Sequence, residues 1–176
     1  MLALLVTLPA LAAGGCADQQ PEPPKPPAAP AAPPGPDYAI LPGRGLEKCE
    51  VDGPVRQVRE LFGRPDRERD QSLSYYRRGV QVLTDRGQID ALIFLYRSRT
   101  HMTFDGVTDK GVGMWSTIPD VIKRYGEPER IGDSTVSEFG EFPGAHEFSL
   151  EYPSQGIAFT FYDNELADVR VYAKRK

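Results

Sequence analysis

The sequence predicts an α+β fold: two tandem helix-strand-strand-strand repeats, whose antiparallel sheet carries helices on one face. Three observations predict it. Val55, Val58, Phe62, Gly63 and Pro65 recur as Ile118, Val121, Tyr125, Gly126 and Pro128 at a constant offset of 63. Residues 73–96 then lie over residues 150–173 without a gap at an offset of 77, with Tyr75, Gly79 and Leu92 meeting Tyr152, Gly156 and Val169. Ile157, Phe159 and Phe161 alternate with Ala158, Thr160 and Tyr162, the period of a half-buried strand. The change of offset by 14 places an insertion in the second copy, within residues 129–148.

Residues 1–15 (MLALLVTLPALAAGG) form an uncharged apolar run. It is shorter than the roughly 20 residues a membrane-spanning helix needs, and it ends in the small residues of a secretory cleavage site. Ala13, Gly14, Gly15 and Cys16 resemble a bacterial lipobox, which makes Cys16 the expected lipidated N-terminus of a mature chain. Residues 17–37 hold nine Pro and five Ala in 21 residues, a composition that favours extended polyproline II and suits a stalk (16–37 with the anchor). The body divides into a first repeat with its connector (38–109) and a second repeat carrying the insertion (110–176).

Within the first repeat, Asp52 or Gly53 is positioned to cap a helix that Pro54 opens, with Val55, Val58, Leu61 and Phe62 on one face. In the second, Ser116 or Thr117 caps, and Ile118, Val121, Ile122 and Tyr125 face inward. Gly63 and Gly126 stand where a positive φ closes a helix, and Pro65 and Pro128 prevent continuation. Strands are expected at 72–77, 79–85 and 88–96, then at 147–152, 156–162 and 165–173. Asp85-Arg86-Gly87 and Asp163-Asn164-Glu165 supply hairpin turns.

The charges exclude several functions. Twenty-one basic against 25 acidic residues give a net charge of −4, with no basic surface of the kind nucleic acid requires. Two cysteines, Cys16 and Cys49, make neither a disulfide framework nor a four-cysteine zinc site, and Cys49 suits a small buried position. No phosphate loop, nucleophile elbow, zinc-helix or dinucleotide motif occurs, so no catalytic residue, metal or cofactor is expected. His101 with Asp105 and Asp109, or the insertion carboxylates Asp133, Glu138, Glu141 and Glu147, mark the weakest alternative, a metal- or glycan-dependent enzyme. The insertion is also a candidate contact element, because loops of that length are often functional.

Strand parity selects a partner surface. Val80, Val82, Leu92 and Phe94, with Ile157, Phe159, Val169 and Val171, fall on the side expected under the helices. Leu83, Ile93, Leu95, Tyr162 and Tyr172 fall on the other. An apolar and aromatic outer face without catalytic groups suits a protein ligand, so these five are the expected partner-binding residues.

The segments VRQVRELFGRPD (55–66) and IPDVIKRYGEPE (118–129) resemble the helix-to-GxP signature of the SmpA/OmlA family of small bacterial envelope lipoproteins. The doubled arrangement is similar to the β-lactamase-inhibitor-protein fold. The resemblance implies a lipid-anchored, non-catalytic protein-binding or assembly-scaffold module. Membrane attachment runs through Cys16, and envelope proteins are the partners. Ala17 in place of Asp implies the outer membrane, facing the periplasm. The alternative it implies is an inhibitor or ligand-sensing module.

Overall fold

The computed structural model describes residues 38–175. The expected signal segment, the expected lipidation site Cys16 and the expected proline-rich stalk lie outside the described residues. The elements follow in chain order. Short strands β1 (Ala39–Ile40), β2 (Gly45–Leu46) and β3 (Cys49–Glu50) precede helix α1 (Arg56–Phe62). Strands β4 (Arg67–Arg69), β5 (Ser72–Tyr75), β6 (Val80–Asp85) and β7 (Gln88–Leu95) come next, with a 3₁₀ turn at Tyr76–Arg78. A connector carries β8 (Val107–Thr108) and leads to helix α2 (Ile118–Tyr125). The remainder is β9 (Arg130–Thr135), β10 (His146–Tyr152), β11 (Ile157–Tyr162) and β12 (Glu165–Tyr172).

Eight of these strands make one antiparallel sheet in the order β4-β5-β6-β7-β12-β11-β10-β9. Its two hairpin sets join where β12 pairs with β7, Val169 opposite Phe94 and Val171 opposite Leu92. One face carries Leu73, Tyr75, Val80, Val82, Leu92 and Phe94, continued by Val169, Val171, Ile157, Phe159, Leu150 and Tyr152, all buried. The alternation of these positions with polar ones is what folds the segments as strands with one dry side.

The α+β expectation of tandem helix-strand-strand-strand repeats with helices over one sheet face is overturned. The described residues are 42% strand and 13% helix, with two short helices beside an eight-stranded sheet. The physical reasons are visible in the elements. Helices of seven and eight residues are about two turns each, too short to form a covering layer. Much of the core is instead supplied by the irregular segment ahead of α1, through Ile40, Leu46, Cys49 and Val51, alongside Val58 of α1 and Val121 and Tyr125 of α2. Each set also has four strands rather than three. The extra strands β4 and β9 are edge strands whose residues are almost all exposed, so they carry no apolar alternation.

Local chemistry explains the ends. Thr117 caps α2 in a capping box: Asp120 N–H bonds the Thr117 hydroxyl, and the Asp120 carboxylate accepts from Thr117 N at 3.0 Å. Helix α1 has Val55 at its cap position and no side-chain cap, so neither Asp52 nor Gly53 fills that role. Gly63 and Gly126 have φ of +80° and +85°, with ψ of −150° and −171°. That region is essentially restricted to glycine and turns the chain directly toward Pro65 and Pro128.

Candidate functional site

Opposite the core, the sheet presents an open face with an ordered cross-strand composition. Arg67, Ser74, Gln81 and Ile93 stand in one row, which continues through Arg170, Ala158, Glu151 and Arg130. Guanidiniums thus mark both edges and the centre. Between Arg170 and Arg130 lies a shallow concavity of about 330 Å³, with Glu147, Ser149, Thr160 and Tyr172 among its walls.

The segment between β9 and β10, residues 136–145, folds over this face as a strap. It is closed at its base by Val136 N–H to Ala145 O at 2.9 Å and Gly144 N–H to Val136 O at 3.0 Å. Its Glu141 reaches the connector that follows β7. One carboxylate oxygen accepts from the Ser98 hydroxyl (2.7 Å), Arg99 N–H (2.9 Å), Thr100 N–H (3.0 Å) and the Thr100 hydroxyl (2.9 Å). Burial works against the Glu141 charge, but these four donors outweigh it and hold the carboxyl below its ordinary range. Phe142 next to it packs on Tyr162 at 5.5 Å between ring centres, under the guanidiniums of Arg97 (4.8 Å) and Arg99 (5.1 Å). Phe139 at the tip is 91% exposed.

Beyond the strap is a second concavity, of about 600 Å³. Arg67 and Arg69 of β4 form one wall and Phe139, Gly140 and Glu141 another, with Leu95, Gln81, Ser72 and Ser74 lining the sheet side.

Asp168 sits between the two concavities in the ladder, opposite Leu95 and Thr160. It is buried, and its one hydrogen bond to a side chain among the described residues is from the Thr160 hydroxyl at 3.2 Å. Burial pushes its carboxyl up to about 6, against the pull of Arg170 and the Thr160 hydrogen bond, with Glu147 adding to the rise.

The five expected partner residues all lie on the open face, but with unequal access. Ile93 is 6% exposed, so it is a buried contact and cannot anchor a ligand as drawn. Leu83, Leu95, Tyr162 and Tyr172 are half-buried, Tyr162 beneath Phe142. The exposed apolar side chains are instead Phe139, Trp115, Met102, Ile131 and Met114. Sequence reasoning missed the strap contacts, Asp168, Arg67 and Arg69. The Asp168 signal was present as a lone carboxylate amid Leu166, Val169 and Val171.

Among the described residues, the side chains named for the enzyme alternatives are engaged separately. Asp109 accepts from the Tyr125 hydroxyl at 3.0 Å, whereas His101 bonds Thr100 through Nδ1 at 2.9 Å and stands edge-on to Tyr76. Burial lowers the His101 pKa, although Glu141 and Asp66 oppose it, and its Nε2 is buried without a partner. Of the insertion carboxylates, Asp133 meets His146 at 2.8 Å and Glu141 is taken up by its four donors. No group of three metal-type ligands occurs among the described residues. Cys49 is fully buried, and desolvation pushes its thiol up to about 12. Comparison with protein families, with curated proteins and with solved structures finds no match to this chain.

Proposed function

We propose that this chain is a lipid-anchored bacterial envelope protein that binds another protein on the open face of its sheet, without catalysing a reaction. The observation that carries the reading is that face itself. It is eight strands wide, charged in an ordered row, and crossed by a pinned strap that holds Phe139 in solvent. An exposed aromatic on an immobilised support loses little entropy on binding, which is the energetic profile of a partner anchor. The leader ending at Cys16 and the stalk behind it support attachment to the outer membrane, and the likeness of 55–66 and 118–129 to SmpA/OmlA segments supports an assembly role.

The test uses the full chain in its native membrane. A photo-crosslinking residue at Arg170 on the open face is expected to capture one discrete partner. The same residue at Lys123, exposed on α2, is expected to capture none. Capture from Lys123 alone, or from neither position, overturns the binding face. Intact-mass analysis of the extracted protein is expected to show an acylated Cys16 as its N-terminus; a soluble product starting elsewhere overturns the anchor.

A further inference from the structure

The concavity bounded by β4 and the strap carries a charge that nothing else in the fold explains. Arg67 and Arg69 lie on the open face opposite Ser74 and Ser72, and neither forms an ion pair among the described residues. Glu141 is the only carboxylate in the lining, and it is already occupied by Ser98, Arg99 and Thr100. The lining also holds the hydroxyls of Ser72, Ser74 and Tyr76 and the Gln81 amide, all able to donate to an anion, together with Thr100 and His101. Leu95 and the exposed Phe139 supply apolar surface within the same space. The cleft is therefore cationic and donor-rich, with an aromatic rim.

Its geometry adds a second constraint. Arg67 and Arg69 are two residues apart on one strand, which separates their stems by roughly 6.8 Å. Acidic side chains at alternate positions of an extended peptide have the same spacing. Among the described residues β4 pairs only with β5, which leaves its other edge open to a further strand. We infer that β4 and its cleft receive an extended acidic segment of the protein partner, added to the sheet as a ninth strand. Its alternate carboxylates pair with Arg67 and Arg69 on the open face of the sheet. Main-chain hydrogen bonds give such a complex its affinity, and the paired side chains give it selectivity. This inference rests on the reading of the open face as a protein-binding surface.

The test measures binding of a labelled peptide, acetyl-Glu-Val-Glu-Phe-Glu-Val-amide, to the full-length chain. Hydrogen exchange of the β4 amides is followed in parallel. The peptide is expected to bind, to slow exchange at β4, and to weaken at least tenfold when its Glu residues become Gln or when the protein carries Arg67→Ser with Arg69→Ser. Both arginines are exposed, so the double variant is expected to keep the native melting temperature. Absence of binding, equal affinity for the Gln peptide, or binding that leaves β4 exchange unchanged each overturn the inference. If the peptide fails while the Arg170 crosslink still captures a partner, the open-face reading stands and only the acidic strand falls.

Discussion

Removing Glu141 isolates the energetics of the strap. Its carboxylate oxygen accepts four hydrogen bonds from residues 98–100, all between 2.7 and 3.0 Å. Hydrogen bonds to a charged group contribute about 1.5–3 kcal/mol each when buried. Here the carboxylate is only half-buried and water can replace the donors, so the four together are worth about 2 kcal/mol. In Glu141→Ala the amides of Arg99 and Thr100 are therefore expected to exchange roughly thirtyfold faster at neutral pH. Glu141→Gln, which keeps an acceptor without the charge, is expected to fall between. The folded carboxyl is held below its ordinary range, so its contribution is present above the unfolded pKa and lost as pH falls through the folded one. The difference between wild type and Glu141→Ala is expected to shrink and then close as pH falls below the ordinary glutamate range. Residue-resolved hydrogen exchange measures all of this. Equal exchange at Arg99 and Thr100 in both proteins would refute the hydrogen-bond reasoning. An equal loss of protection throughout β7 and β12 would show that the strap does not open separately from the sheet.

Asp168 is expected to act with the opposite sign. Its folded pKa is raised to about 6, so the stability present below the unfolded pKa is lost as pH rises through about 6. Asp168→Asn is expected to gain about 3 kcal/mol over wild type at pH 7.5 and little at pH 4 by urea unfolding; parallel pH profiles would refute the buried carboxylate. Gly79 has a φ of +64°, and a Cβ there would clash with the Met102 carbonyl oxygen and the Phe104 backbone, whereas Gly87 at φ +81° faces open space. Gly79→Ala is expected to cost about 3 kcal/mol and Gly87→Ala about 1 kcal/mol in the same assay; the reverse order would refute the close approach. The Cys49 thiol, buried and pushed up to about 12, is expected to resist iodoacetamide until the protein unfolds in urea. Stoichiometric labelling in native buffer would contradict its burial.

What the sequence reveals tracks how much each segment buries. The hairpins β6–β7 and β11–β12 are readable because Val80, Val82, Leu92 and Phe94, and likewise Ile157, Phe159, Val169 and Val171, alternate around turns at Arg86 and at Asp163-Asn164, all of positive φ. β4 and β9 are unreadable for the converse reason. Arg-Glu-Arg and Arg-Ile-Gly-Asp-Ser-Thr pair through their backbones while their side chains stay in water, so no apolar period betrays them. Reading β9 as part of a structureless insertion followed from that silence. Ile93 shows a different limit: parity assigns its face, but what crosses that face is decided by side chains and loops distant in sequence. Glu141 likewise looks like any solvated loop carboxylate until the chain brings residues 98–100 to it.

The seam between β7 and β12 sets the tempo of chain assembly. Its pairs, such as Leu95 with Asp168 and Ala91 with Tyr172, join residues roughly 75 positions apart. Strands β4 through β7 can form hairpins from local contacts, but one side of β7 then stays bare until β12 arrives. During that interval Leu92, Ile93 and Phe94 lie along an unpaired strand that any other extended chain could occupy. A chaperone that holds extended segments during synthesis would act most strongly in that window, and substitutions that slow closure of the seam would reduce yield without lowering the stability of the finished protein.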